Sequence, residues 1–242
     1  MKHNLLIELG TEELPPKALL SLSEAFCSII ADQIKAEDFA FTDVIKFATP
    51  RRLAVVVKDL QSRQTDRSEH IRGPALTIAF DETGAPTKAA LGFARSCGVE
   101  VEVLGHEKNH QGEWLAFVRK TIGRKIDDVL PKIIADALIQ LPIPKRMRWG
   151  ARQVEFVRPA HWLVVLFGDR VIDCEILDLR SGRLTRGHRF HHDELISLKN
   201  TDEYEEKLED PGHVICDFVK RRRRISELAR ECYVSEQENN VS

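Results

Sequence analysis

Leu5-Leu6-Ile7-Glu8-Leu9-Gly10-Thr11-Glu12-Glu13-Leu14-Pro15-Pro16 carries the transition that fixes the fold class of this chain. Leu5–Leu9 is a short apolar run that reads as a strand ending at Gly10. The prolines then fall at the start of a helix, where a missing backbone N–H does no harm. From Lys17 to about Ala36 the residues Leu19, Leu22, Phe26, Ile29, Ile30 and Ile34 recur at steps of three and four, which predicts one apolar stripe facing a core. Strand, turn and helix follow one another. Glu12 and Glu13 sit where a helix dipole favours negative charge, so they read as helix-start chemistry rather than catalytic carboxylates.

The same alternation of signals continues outward. Val44–Ala48 and Leu53–Leu60 are β-rich runs that flank the turn Thr49-Pro50-Arg51-Arg52 and should pair. The two turn arginines could hold a phosphate or a carboxylate, or simply be solvated. Gln61–His70 reads as a polar loop and Leu76–Phe80 as a strand. Thr87 is placed to cap a helix over Lys88–Ser96 that Gly98 closes. Val99–Leu104 and Trp114–Val118 have strand character around a hairpin loop, His106–Gly112, with Asn109, Gln111 and Gly112 as its turn residues. Ile126–Ile139 reads as an amphipathic helix in which Pro131 lies too deep for a start at Ile126, implying a later start or a bent first turn. Strands are expected at Val154–Val157, Trp162–Phe167, Val171–Leu179 and Val214–Cys216. Helices are expected at Glu203–Glu209, capped by Thr201 or Asp202, and at Asp217–Cys232. The result is an α+β fold with mixed or antiparallel sheets and packed helices. Two lobes are expected, residues 1–140 and residues 141–232 with cationic loops, followed by a frayed or truncated tail over 233–242.

Composition narrows the function. With 43% hydrophobic and 31% charged residues the 242-residue chain reads as an ordinary soluble protein. No apolar run approaches the roughly 20 residues of a membrane helix, and Met1-Lys2-His3 resembles no signal sequence, so a cytoplasmic location is expected. Cys27, Cys97, Cys174, Cys216 and Cys232 are odd in number and never spaced as CxxC, which disfavours disulfides and zinc. Charge is segregated. Arg119–Arg189 holds 15 Lys and Arg against 8 Asp and Glu, a surplus of 7 cations, so the rest of a chain of net charge −2 carries −9. A polyanion-binding face on an otherwise acidic protein would have that distribution.

The densest cationic stretch is Leu141–Gly150, LPIPKRMRWG. Pro142 and Pro144 stiffen the backbone, Lys145, Arg146 and Arg148 supply charge, and Trp149 offers a stacking face or caps a core edge. The basic character continues through Arg152 and Arg158 to Arg183, Arg186, His188 and Arg189. Lys145, Arg146, Arg148, Trp149, Arg158, Arg186, His188 and Arg189 are therefore the candidate RNA- or phosphate-binding residues. Lys220–Arg224 must circle its helix and reads as a solvated face. No P-loop, dinucleotide fingerprint, HExxH or GxSxG is present, so no catalytic residue is assigned. His106 and His110 are discounted as metal ligands because glycines flank them. His188, His191 and His192 lack companion ligands at suitable spacing except Asp193 and Glu194, so no metal is expected there either. A hydrolytic editing site using those three histidines is a weaker alternative.

Several motifs in order, ELGTEELPPKAL (Glu8–Leu19), FATPRRLAV (Phe47–Val55), RGPA (Arg72–Ala75), GEWLAF (Gly112–Phe117), LPIPKRMRWG, FVRPAHWLVVLFGDRVI (Phe156–Ile172) and TRGHRF (Thr185–Phe190), resemble the N-terminal part of the beta subunit of the bacterial tetrameric glycyl-tRNA synthetase. The resemblance runs from about Leu5 to about Ala229. It implies a component of an aminoacyl-tRNA synthetase that recognises tRNA(Gly), with an alpha subunit as partner in an α2β2 enzyme. It further implies that ATP, and with it Mg, is used at the alpha-subunit active site and that no cofactor binds this chain. DNA and membrane are not expected partners. The alternative is a scaffold that docks the alpha subunit without touching RNA.

Overall fold

A computed structural model of the chain describes the backbone of residues 1–239 apart from Gln111, Pro144 and Arg152, and the side chains of these apart from Asn109 and residues 234–239. The roles expected of Pro144, Gln111 and Arg152 lie outside the described residues.

Along the chain the elements are β1 (Lys2–Thr11), α1 (Pro16–Ala36), β2 (Asp43–Thr49), β3 (Arg52–Gln61), β4 (Arg67–Ala75), α2 (Leu76–Ala79), α3 (Lys88–Cys97), β5 (Gly105–Asn109), β6 (Gly112–Thr121) and α4 (Ile126–Gln140). After them come β7 (Met147–Arg148), β8 (Glu155–Phe156), β9 (Ala160–Phe167), β10 (Arg170–Val171), β11 (Glu175–Ile176), β12 (Leu179–Gly182), β13 (Leu184–Arg186), β14 (Leu195–Ser197), α5 (Tyr204–Glu209) and α6 (Phe218–Asn239). This is the expected α+β fold.

Two compact units are present, one of Met1–Arg63 with Lys125–Ser242 and one of Gln64–Arg124. The division differs from the expected boundary after residue 140. The reason is pairing: β1, from the front of the chain, lies between β3 and β9, so residues on both sides of that boundary share one sheet.

The larger unit is built on that sheet, ordered β11-β12-β9-β1-β3-β2 with β10 beside β9. All its pairings are antiparallel except β12 with β9. β1 is the central strand, and its period-two alternation sorts the core. Leu5, Ile7 and Leu9 point into a cluster with Leu22, Phe26, Ile30 and Ile34 of α1 and Leu130, Ile133 and Ile134 of α4. The α1 stripe read from the sequence is thus the covering layer, and each such fully buried aliphatic contributes about 1.5–3 kcal/mol. On the opposite face Leu6 joins Phe47, Val56, Trp162, Val164, Ile196, Tyr204 and Leu208.

Glu8 shares that second face and is fully buried. Gly10 follows two residues on, paired with Arg52 of β3 on one side and Trp162 of β9 on the other. The missing side chain has a use. A Cβ on Gly10 would stand 1.9 Å from Trp162 Cε2, so the indole occupies the space that glycine leaves. Gly10→Ala should therefore cost at least the roughly 1–3 kcal/mol of an overpacked core, read as a lower urea midpoint.

α4 does begin at Ile126 and carries Pro131 inside it. Asp127 in its first turn accepts from both terminal guanidinium nitrogens of Arg170, with Nη1 donating to Oδ2 and Nη2 donating to Oδ1, the latter at 2.9 Å. That hydrogen bond, working against partial burial, holds the Asp127 carboxyl below the usual aspartate range. A depressed folded-state value adds stability above the unfolded pKa of about 3.9 and loses it as pH falls through the folded value. Acid titration of unfolding should thus show a smaller drop in this window for Arg170→Ala than for the parent chain.

In the smaller unit β4, β6 and β5 form an antiparallel sheet in that order, with Ala79, Ala90, Ala94, Leu104 and Leu115 buried together. Gly98, at φ 73°, caps α3 through its N–H to the carbonyls of Ala94 and Arg95.

Several local expectations are corrected. Leu76–Ala79 is one helical turn rather than a strand, a short apolar run being ambiguous by pattern alone. Arg67–His70 is strand because β6 pairs with it, although its side chains are polar. Val101–Val103 is a 3-10 turn, and the strand falls at Gly105–Asn109 instead. Val171–Leu179 breaks into short pieces, first after Val171 and again at the positive-φ residues Leu177 and Asp178. Val214–Cys216 forms no strand. α6 continues to Asn239, so the part of the expected 233–242 tail that is described is helical.

Candidate nucleic-acid interface

The interface begins at the β2–β3 turn, Thr49–Arg52. Its backbone is fixed by the Thr11–Leu14 segment: the N–H of Thr11 donates to the Arg51 carbonyl at 2.9 Å and that of Leu14 to the Pro50 carbonyl at 2.6 Å. The alternation of β3 then sends Arg52 inward, where it is 2% exposed.

Arg52 meets a buried polar cluster. Its Nη1 lies 3.5 Å from Glu8 Oε1, and its Nη2 donates to the carbonyl of Arg186. The same Glu8 oxygen accepts from Trp162 Nε1 and Thr185 Oγ1, each at 2.7 Å. Burial alone would lower the Arg52 pKa, but Glu8 and Tyr204 outweigh it and hold the value above normal, so the guanidinium stays charged. Burial likewise pushes the Tyr204 hydroxyl well above its usual value and the Cys216 thiol up to about 12. Arg52 Nε has no hydrogen-bond partner among the described residues, nor has Arg51 Nε.

The consequence is positional. By holding Thr185 and Arg186 of β13, the Glu8–Arg52 pair presents the following segment, Gly187–Phe190, across from the β2–β3 turn. The His188 N–H donates to the Gly212 carbonyl at 2.7 Å, bringing in the loop before α6. Gly187 is needed there, since a Cβ would stand 2.7 Å from the Gly212 carbonyl oxygen.

These three segments, with Glu13 and Arg221, line an open cavity of about 340 Å³. Arg51, Arg52, Arg189 and Arg221 line it, together with His188, His213 and Phe190. Among the described residues only Glu13 opposes them on the wall, 3.4 Å from Arg189 Nη1. Partial burial, and then the neighbouring imidazoles of His191 and His213, keep the His188 ring below the ordinary histidine pKa. Chemically this is a pocket for an anion, and guanidinium groups suit phosphate oxygens.

Of the candidates read from the sequence, Arg186, His188 and Arg189 belong to this cleft or its rim, with Arg186 Cζ 5.9 Å from the Trp162 ring. Arg158 touches it from outside through Nε to the Glu13 carbonyl at 3.0 Å. Arg158 also contacts Met147 Sδ at 3.8 Å, which puts the β7–β8 hairpin beside it. The Leu141–Gly150 stretch is partly occupied with its own structure. Arg146 Nη2 donates to the α4 carbonyls of Leu138 and Ile139 at 3.2 and 2.6 Å, Arg148 pairs with Glu155 at 2.6 Å, and Trp149 packs against the main core. Lys145 is exposed.

The sequence reads Arg51 and Arg52 as a possible phosphate clamp or a solvated turn and Arg221 as part of a solvated helix face, and it does not single out His213; the cavity brings the four together. The Thr49–Arg52 turn offered the one sequence signal, two adjacent arginines after a proline, while Arg221 was hidden in a run of five cations. No group of His, Cys, Asp and Glu among the described residues could hold a metal ion, His188, His191 and His192 included. No described helix is long and apolar enough to cross a membrane.

Comparison with known proteins adds the family. The chain is 48% identical over 236 residues to the glycine–tRNA ligase beta subunit of Hahella chejuensis, covering 96% of this chain and 34% of that protein. It is 49% identical over 230 residues to the glycine–tRNA ligase beta subunit of Stutzerimonas stutzeri and 48% over 230 residues to that of Pseudomonas aeruginosa, in each case covering 93% of this chain and 33% of the relative. The chain spans about a third of the length of these curated relatives. The sequence profile of the family described as "Glycyl-tRNA synthetase beta subunit" matches residues 5–241, and the chain belongs to that family.

Proposed function

We propose that the chain is the N-terminal portion of the tRNA-recognising beta subunit of a glycine–tRNA ligase, and that its cationic cleft holds tRNA by backbone phosphates. It would thereby support ATP-dependent attachment of glycine to tRNA(Gly) at an active site carried by the alpha subunit, in a cytoplasmic α2β2 enzyme. ATP and Mg belong to that alpha-subunit site, and no cofactor is assigned to this chain. The observation that carries the reading is the convergence of Arg51, Arg52, Arg189 and Arg221 on one cavity with a single opposing carboxylate on its wall. Arg186 and Arg189 contact phosphates here, and His188 offers a further hydrogen bond or stacking contact. Arg158 joins the cleft through the Glu13 carbonyl, Lys145 and Arg148 would add phosphate contacts on the neighbouring β7–β8 segment, and Arg146 and Trp149 chiefly hold that hairpin in place.

A second reading, docking of the alpha subunit without RNA contact, is favoured by the half-buried Trp149 and the exposed Met147 on the hairpin. Aromatic, Met and Arg side chains are the ones enriched in protein interfaces. Mobility-shift titration with tRNA(Gly), alongside a pull-down with purified alpha subunit, separates the two. A saturable tRNA shift supports the first reading. Alpha-subunit capture with no tRNA shift would replace it with the second.

A further inference from the structure

Phe190 is 81% exposed, the most exposed large apolar side chain described in the larger unit apart from Met1. It lies on the wall of the arginine-lined cavity, and among the described residues it is the only aromatic ring there besides the two imidazoles. The neighbouring guanidinium of Arg189 stands 5.6 Å from its ring centroid, and the His188 ring 6.1 Å. The segment that carries it is anchored just ahead of the ring, by Arg52 on the Arg186 carbonyl and by the His188 N–H on Gly212, and the Phe190 N–H donates to His188 Nδ1 at 3.3 Å. An exposed ring on the wall of a cavity that Arg51 and Arg52 also line, each with an Nε that has no hydrogen-bond partner among the described residues, has the two parts of a nucleotide site, a stacking face and a phosphate pocket.

We infer that this cavity takes an unpaired nucleotide, with its phosphate at Arg51 and Arg52 and its base stacked on Phe190. The inference rests on the RNA reading above and deepens it from backbone binding to selection of single-stranded RNA. Three observations carry it. Arg52 is almost fully buried, lines the cavity and keeps its Nε without a hydrogen-bond partner among the described residues, and Arg51 Nε is in the same condition. A cavity of about 340 Å³ falls within the roughly 300–1,000 Å³ range of small-ligand sites and so suits one nucleotide rather than a helix. Bases inside a duplex are stacked on one another and cannot offer a face to Phe190, whereas unpaired bases can.

The test uses the 242-residue chain and fluorescence polarisation with a labelled oligoribonucleotide of about eight nucleotides, alone or annealed to its complement. The single strand should bind more tightly than the duplex. Phe190→Ala should weaken single-strand binding about tenfold and leave duplex binding unchanged, as loss of one stacked base requires. Phe190→Trp should retain it, and Arg51→Ala should weaken both RNAs. Because Phe190 is exposed, the thermal midpoint of Phe190→Ala should match that of the parent, which separates a stacking defect from a folding defect. Single-strand binding that Phe190→Ala leaves untouched, or a duplex bound as well as the single strand, overturns the inference while the RNA reading stands. Failure to bind either oligonucleotide or tRNA overturns both.

Discussion

Arg52→Met should destabilise the chain by about 3–5 kcal/mol, the cost of leaving one member of a buried ion pair uncompensated. Glu8 is 0% and Arg52 2% exposed, so water cannot replace the missing partner. Glu8 Oε1 would keep the Trp162 and Thr185 donors, yet Oε2 already has no hydrogen-bond partner among the described residues. The substitution also frees the Arg186 carbonyl and with it the tie between β3 and β13. Methionine is chosen because it fills much of the arginine stem's volume and limits the added cavity cost. The double variant Glu8→Gln, Arg52→Met removes both charges while keeping an acceptor for the indole and the hydroxyl. It should recover most of the stability. Urea unfolding of the two single variants and the double variant gives the coupling directly. A change for Arg52→Met near the roughly 1 kcal/mol of an average substitution would mean that the pair does not organise this face.

The second large effect concerns binding. Arg51→Ala with Arg189→Ala should weaken tRNA binding across sequences and reduce the slope of log affinity against log salt by about 1 for each phosphate that is no longer neutralised. Neither side chain belongs to the buried cluster, so unfolding midpoints should stay close to the parent's. Arg146→Ala with Arg148→Ala should behave differently. Arg146 is committed to α4 carbonyls and Arg148 to Glu155, so that variant should be somewhat less stable and change the salt slope less. A larger slope change at Arg146 and Arg148 than at Arg51 and Arg189 would move the RNA to the hairpin.

The contrast between these two pairs reflects what a sequence can and cannot carry. Segments whose periodicity is long and clean were legible: the α1 stripe, the β2–β3 hairpin, the apolar run of β9 and the α4 face. Each is buried where its pattern says. What escaped depends on partners distant in the chain. Arg67–His70 is strand because β6 lies beside it, and the smaller unit interrupts the larger because β1 is claimed from both sides by β3 and β9. Glu8 and Gly10 carried a faint signal, two non-aliphatic positions at period two with Leu6 on one strand face. Their meaning needed Arg52 and Trp162 in register beside them. Charge density pointed to Leu141–Gly150, but density does not reveal which cations are already bound. Arg146 and Arg148 have internal partners, as do Arg52, Arg189 and Arg221; what sets the β2–β3 turn apart is that it meets Gly187–Phe190, the His213 loop and Arg221 on one cavity.

Cross-linking of tRNA(Gly) to the chain, followed by mapping of the modified peptides, tests the central assignment most directly. Adducts should concentrate on the peptides bearing Thr49–Arg52 and Gly187–Phe190, with weaker ones on the β7–β8 hairpin. Adducts confined to Gln64–Arg124, or none at tRNA concentrations that saturate the mobility shift, would contradict the assignment of the cleft as the RNA site.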